Sequence, residues 1–379
     1  TVRIDCTFGA AGLQLAANLE VMMAWAPIRM TAHIRTYPFG ERLIPEMLGK
    51  QNMPDGIVAE TWEISDQKDA RATITSEPFA GRLLHDVVAE FPDEIVGQGW
   101  RGPHFPILDK FLDASHMLPV HLHPDDATAL ELHAEPNGKS EAWHIIYAAP
   151  DATILAGIRP GFSNDDLRDA FLAQDYDRVM FRYPIAAGDT IYVPGGVLHS
   201  FGPDTLIFEV QQTSDLGQFV MPTSLRGEKL SDAEWRANID AALRELKREF
   251  LSRPHAGLDK PESVPGNRIT VGCAGPHFAL ERWRLTSAHS DPSHPSRCLT
   301  LSNVGGPVRI VWSDGEEMLG SAESVLLPAA IGDVQVIPVE GAGDLIACYI
   351  PDLANDIVAP LRAAGHSDDQ IAALGEVPL

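Results

Sequence analysis

From about residue 37 the chain alternates short apolar runs with clusters of Gly, Pro, Asp and Asn. The runs 142–149 (AWHIIYAA), 152–158 (ATILAGI), 190–196 (TIYVPGG) and 206–212 (LIFEVQQ) predict strands. A second series, at 278–287, 296–304, 307–313, 323–329, 333–339 and 344–350, comes at near-regular spacing and predicts an all-β sandwich or barrel. Between the two series lies the clearest helix, 231–251, with Ser231 and Glu234 as a capping box and Ala, Leu, Glu, Lys and Arg inside. A shorter helix is predicted over 164–175, capped by Ser163 or Asn164. The run around Lys110 (LDKFLDA) reads as helix-like, and Asp125 and Asp126 read as caps of a helix that follows them. The tail segment 367–375 is a further short helix ending at a C-cap-like glycine. Residues 8–29 are apolar but interrupted by Gln14 and Glu20, which suits a helix packed on the body rather than a signal peptide or membrane span. The plan is mainly β with helical additions: one β-rich region, a helical insert, a second β-rich region.

Composition narrows the class. A chain of 379 residues holds two globular domains or one large one with additions. The net charge of −24 excludes the basic face that nucleic acid requires. It leaves room for a small anionic substrate, because a pocket can be locally basic in an acidic protein. The four cysteines form no CxxC pair, so the reducing cytoplasm is the expected compartment.

Chemistry concentrates in three short stretches. In LPVHLHPDD, His121 and His123 are one residue apart, and alternate residues of a strand point the same way. In GDTIYVPGGVLH, residues 188–199, a Gly-Asp turn, a strand, a Pro-Gly-Gly turn and His199 follow one another. The spacing G-x5-P-x-G-x2-H resembles the second motif of the cupin barrel, and H-x-H resembles the first. Glu141, at the start of the next strand-like run, supplies a carboxylate. One such histidine alone is most simply a core or surface residue. Three imidazoles and one carboxylate together suit a divalent first-row metal with open positions for substrate oxygens.

The resemblance extends further. The ordered blocks GERL (40–43), AETWEIS (59–65), FAGRLL (79–84), HFPILDKFLDA (104–114), LPVHLHPDD (118–126), NGKSEAWHII (137–146), GDTIYVPGGVLHS (188–200) and LIFEVQQTSD (206–215) resemble type I mannose-6-phosphate isomerases, members of the cupin superfamily. That resemblance implies two cupin (double-stranded β-helix, jelly-roll) domains with a helical segment between them. The likeness covers roughly residues 37–225 and, more weakly, the chain to about 350; joined to the element pattern it divides the chain into an N-terminal extension outside the resemblance and expected to be helical (1–36), a catalytic cupin domain carrying the metal (37–225), a helical insert and linker (226–265), a second, metal-free cupin-like domain (266–350) and a helical tail (351–379). The second domain retains the glycine-aspartate and proline of the motif in GDVQVIPVEGAGD (332–344) but no histidine.

By position, the resemblance makes His121, His123, Glu141 and His199 the metal ligands. His121 stands where many members carry glutamine. Glu209 matches an acid/base glutamate, Lys139 and Lys110 match active-site lysines, and Lys110 and Arg226 are the candidates for a phosphate. Many members have an arginine four residues beyond the aspartate of SD; here that position is Phe219. The implied reaction interconverts mannose 6-phosphate and fructose 6-phosphate by enediol proton transfer, with one divalent ion, zinc first and Fe, Mn, Co or Ni as alternatives. Phe219 keeps open an isomerase for another, unphosphorylated sugar. A three-histidine cupin also suits a dioxygenase or a sugar-sensing binding protein. The expected partner is a small sugar or sugar phosphate, with no nucleic acid or membrane, and the oligomeric state is open.

Overall fold

The structure, a computed structural model of the chain, describes residues 24–291 and 297–379. The first set of strands is β1 (His33–Arg35), β2 (Glu60–Ile64), β3 (Ile107–Ala114), β4 (His121–Leu122), β5 (Glu141–Ala148), β6 (Thr153–Ile158), β7 (Met180–Pro184), β8 (Thr190–Val193), β9 (His199–Phe201), β10 (Thr205–Gln212) and β11 (Gln218–Phe219). They form a six-stranded sheet in the order β1-β2-β3-β10-β5-β8 and a five-stranded sheet in the order β11-β4-β9-β6-β7.

The second set is β12 (Leu258–Asp259), β13 (Arg268–Ala274), β14 (Ala279–Leu285), β15 (Leu299–Asn303), β16 (Val308–Trp312), β17 (Gly315–Leu319), β18 (Ser324–Leu327), β19 (Gln335–Pro338) and β20 (Gly343–Tyr349). Its sheets run β12-β13-β14-β20-β15-β18 and β17-β16-β19. The two six-stranded sheets share one plan: three consecutive strands, the last long strand of the set, then two from its middle. The protein is mainly β with added helices.

Sequence explains the layering. Val120 and Leu122 lie in one apolar cluster with Leu167 and Phe171 of the helix Asn164–Leu172 and with Ile239 and Leu243 of the helix Asp232–Glu245. Both helices therefore cover the outer face of the five-stranded sheet. The two-residue period then turns His121 and His123 to the inner face. Capping boxes at Ser163/Asp166 and Ser231/Glu234 start these helices. The longer one stops at Glu245, six residues short of its predicted end, and Leu246 is already extended.

On its other face the first six-stranded sheet meets the second. Ile107, Phe111, Phe208 and Val210 share a continuous apolar cluster with Cys273, Leu280, Ile346 and Cys348. The cysteines Cys273, Cys298 and Cys348 are free and buried. Among the described residues, no helix is long and apolar enough to cross a membrane.

Two expectations need correction. Residues 1–23 of the expected N-terminal helix lie outside the described residues, but from residue 24 the chain is extended. Ile28 bridges to Leu326, Met30 bridges to Ile74, and β1 pairs with β2. Pro27 and the alternation of Ile28 and Met30 with Arg29 and Thr31 favour that conformation. The run around Lys110 is not helical but lies in β3, a central strand buried on both faces. Apolar residues on both faces imitate a helical period, an ambiguity inherent in short apolar runs.

Candidate metal centre and active-site cavity

Strands from both sheets of the first set bring His121, His123, Glu141 and His199 together. His121 lies directly opposite His199 across β4 and β9, and Glu141 opens β5 in the facing sheet. All four are buried. Each imidazole is oriented through Nδ1, which donates to a backbone carbonyl: His121 to Pro119 (2.7 Å), His123 to Leu216 (2.5 Å) and His199 to Val197 (2.8 Å). A carbonyl only accepts, so the three Nε2 atoms carry the lone pairs.

These atoms converge. His199 Nε2 is 3.1 Å from His121 Nε2, and the ligand atoms of the three histidines lie within 4.8 Å of one another. Glu141 Oε1 is 3.1 Å from His199 Nε2, and Oε2 is 3.3 Å from His123 Nε2. Burial, with His199 and His123 nearby, holds His121 well below the usual imidazole range. Burial and the Lys139 ammonium push His123 down to about 3. Three imidazoles aiming Nε2 at one point beside a carboxylate fit a divalent cation, and this donor set could hold one.

The loops around the centre lock together. Lys139 N–H donates to Pro124 (2.9 Å) and Gly196 N–H to His123 (2.6 Å). A Cβ at Gly138 would stand 2.4 Å from the Asp125 carbonyl carbon, and one at Gly195 would stand 2.5 Å from Asp125 Cα. The two glycines thus press on the backbone directly after the H-x-H pair from two sides. Asp125 caps the short helix after it through Thr128 N–H (2.9 Å). Asp126, expected as a cap, instead accepts from Gly138 N–H (2.8 Å) and Gln212 Nε2 (2.9 Å), which ties the three motif segments together.

Beside the ligands a cavity is lined by Glu60, Trp62, Lys110, Lys139, Glu209, Asp215, Tyr37 and Phe219, among others. Lys110 and Glu209 are cross-strand partners on β3 and β10, with Nζ 3.1 Å from Oε1. Lys110 also stands 3.8 Å from Glu60. Burial opposes its charge, but Glu209 and Glu60 outweigh burial and raise its pKa. Lys139 Nζ is 2.7 Å from Glu141 Oε2, 2.9 Å from His123 Nε2 and 3.7 Å from Glu209 Oε1. Burial would raise Glu141, yet Lys139, His123 and His199 hold it well below the carboxylate range. Burial and then the Glu141 charge push Glu209 up to about 8, against the two lysines.

Arg226 is not on this cavity wall. It is exposed on an adjoining groove with Ile34, Arg35, Thr36, Tyr37 and Pro38. Phe219 lies opposite His121 in register and stacks on its ring at 5.2 Å and 22°.

Three features escaped the sequence reading. Trp143 Nε1 donates to Glu141 Oε1 (3.1 Å) and its ring packs edge-on against His199 at 5.2 Å. The same bond joins Trp62 to Glu60 (2.6 Å) and Trp283 to Glu281 (2.8 Å). The common signal is E-x-W, whose two side chains share a strand face. Arg35 is the third feature, placed by β1 on the adjoining groove with its guanidinium 4.4 Å from the Trp62 ring centre.

Comparison with known proteins agrees with this geometry. Residues 28–143 match the family model "Phosphomannose isomerase type I, catalytic domain". The mannose-6-phosphate isomerase of Streptococcus mutans is 28% identical over 292 residues, 76% of this chain and 89% of that protein. The mannose-6-phosphate isomerase of Bacillus subtilis is 26% identical over 306 residues, 79% of this chain and 91% of that protein. A crystal structure of the Bacillus subtilis mannose 6-phosphate isomerase superposes with a TM-score of 0.75 at 25% identity, covering 86% of this chain and 100% of the other. A single-residue variant of the Salmonella typhimurium phosphomannose isomerase shares the fold, with a TM-score of 0.66 at 15% identity over 86% of this chain and 99% of that one.

Proposed function

Because the chain belongs to the type I phosphomannose isomerase family, and is thereby an enzyme of the aldose–ketose isomerase type, we propose that it interconverts mannose 6-phosphate and fructose 6-phosphate in the cytoplasm. The observation that carries this reading is the convergence of three Nε2 lone pairs and Glu141 on one point, with Glu209 on the same cavity wall.

The reaction moves a proton between C1 and C2 through an enediol, so it needs a base and a means of holding charge on O1 and O2. A divalent ion held by His121, His123, Glu141 and His199, zinc in the first instance, would supply Lewis-acid stabilisation of those oxygens. Glu209 is the proton carrier, since its raised pKa places it near the operating range of a general acid/base. Lys110 was a candidate for the phosphate, but its bond to Glu209 gives it the task of fixing that carboxylate. Lys139 bridges Glu141 and Glu209 and is positioned to donate to a substrate oxygen. In this reading residues 37–225 form the catalytic cupin and 266–350 a metal-free one, as their shared sheet plan suggests.

Phe219 motivates a second reading, an isomerase of an unphosphorylated sugar, because it puts an aromatic ring where many family members carry an arginine. A coupled assay on mannose 6-phosphate and free mannose separates the two. We expect EDTA-sensitive turnover of the phosphorylated sugar by the wild type, and loss of both metal and turnover in His199→Ala. No turnover by the zinc-loaded wild type would overturn the proposal. Preference for free mannose would favour the second reading.

A further inference from the structure

Starting from that reading, we propose that Arg35 is the phosphate anchor of this enzyme, working with Arg226 across the groove beside the metal cavity. In a chain with 53 acidic and 29 Lys and Arg residues, arginines usually find a carboxylate. Arg29, Arg82, Arg168, Arg182 and Arg268 all do. Among the described residues, the side chains of Arg35 and Arg226 have no ion pair or hydrogen bond; several exposed arginines share that, but Arg35 is only partly exposed and its Nε is buried without a partner. Leaving a guanidinium N–H buried and unpaired is costly, so the position is suited to an acceptor that arrives from solution.

The surroundings define that acceptor. The groove is formed by Ile34, Arg35, Thr36, Tyr37, Pro38 and Arg226, with no acidic residue among them. It joins the metal cavity at Tyr37, which lines both. The Arg35 guanidinium lies 4.4 Å from the Trp62 ring centre, and the Lys110 ammonium lies 5.7 Å from the same ring. Stacking on an indole fixes the plane of an arginine fork while leaving its edge free for a bidentate oxyanion. Elsewhere in the cavity the cations are already committed: Lys110 to Glu209 and Glu60, Lys139 to Glu141. Phe219 offers no donor there at all.

A sugar whose O1 and O2 sit at the metal end would therefore direct its C6 phosphate to the rim, where Arg35 waits. Glu60 lies opposite Arg35 on β2 and Asp215 is within reach of its charge, yet neither forms an ion pair with it. Arg226, exposed on the same groove, adds a second charge.

The test uses the zinc-loaded full chain. The ratio of kcat/KM for mannose 6-phosphate to that for free mannose is measured in the wild type, Arg35→Ala, Arg35→Lys and Arg226→Ala. In parallel, inorganic phosphate is titrated as a ligand in thermal-shift experiments. Loss of a bidentate, charge-assisted contact lowers the ratio by about 10- to 100-fold in Arg35→Ala, chiefly through KM. Arg35→Lys recovers part of the loss, and Arg226→Ala shows a smaller one. Phosphate stabilises the wild type and protects Arg35→Ala less. An unchanged ratio together with unchanged protection by phosphate overturns the proposal. If the wild type turns over no mannose 6-phosphate, the isomerase reading fails instead, and phosphate protection alone still decides the role of Arg35. Should Arg35→Ala not fold, Arg35→Gln serves in its place.

Discussion

Replacing Asp109 by asparagine should remove a large part of the pH dependence of stability. Asp109 shares the face of β3 that carries Ile107 and Phe111 into the apolar cluster between the two six-stranded sheets. It is fully buried, and the Thr300 hydroxyl only partly offsets that burial. Burial, reinforced by the nearby Glu63 charge, pushes its pKa from 3.8 up to about 7. The folded chain therefore keeps this proton between about pH 4 and 7, where the unfolded chain has released it. Because the folded state binds more protons there, stability falls as pH rises through that window. The loss is complete once the folded carboxyl also ionises. Three units correspond to roughly 4 kcal/mol. For a chain of 379 residues that is roughly 5 °C in melting temperature. Asparagine has nearly the same shape and does not titrate. Thermal melts of both proteins from pH 4 to 8 should diverge progressively, with the variant higher at neutral pH. Parallel curves would refute the reasoning, because they would mean that Asp109 pays no penalty for its charge in the folded state.

Three further outcomes are expected. Glu209→Gln should lower kcat by about 10²- to 10⁴-fold while bound metal, measured by mass spectrometry, stays at the wild-type level; a change of less than tenfold would remove Glu209 from proton transfer. Gly195→Ala must push on the Asp125 backbone and should cost about 1–3 kcal/mol together with some metal affinity, readable from denaturation and a chelator competition. Ser231→Ala deletes both bonds of the capping hydroxyl, from Glu234 N–H and to Glu234 Oε2, and should cost about 1 kcal/mol with kcat unchanged, since the helix it starts lies behind the sheet; a fall in kcat would show that this helix does more than support it.

The convergence of the candidate metal residues was legible because its signal is local. H-x-H fixes two side chains on one strand face, and the glycine and proline spacing fixes the turn that delivers His199. The same holds for the capped helices, whose starts are written in Ser163 and Ser231. Lys110 was misplaced for a physical reason: a strand buried on both faces has no two-residue alternation to reveal it. Asp126 looked like a cap because Asp ahead of an apolar helical run reads as an N-cap, and only the folded loop shows Gly138 and Gln212 donating to its carboxylate. Arg35 was invisible for a different reason. Its position depends on β1 pairing with β2, so that Arg35 lies opposite Glu60, and nothing in the intervening residues announces that register. The tryptophan-to-glutamate bonds sit between these cases, since E-x-W is plain in the sequence but its meaning needs strands.

The apolar cluster shared by the two six-stranded sheets has a consequence for how the chain can be cut. Phe111, Phe208 and Val210 share their cluster with Leu280, Ile346 and Cys348 of the second half. A fragment ending near residue 225 would carry every candidate metal ligand, yet it would expose part of that face to water and would be prone to self-association. A single proteolytic nick in the connection 252–257, by contrast, leaves both faces in place. The nicked halves should co-elute and keep the metal centre, making the second half an integral wall of the first rather than an appendage that can be trimmed away.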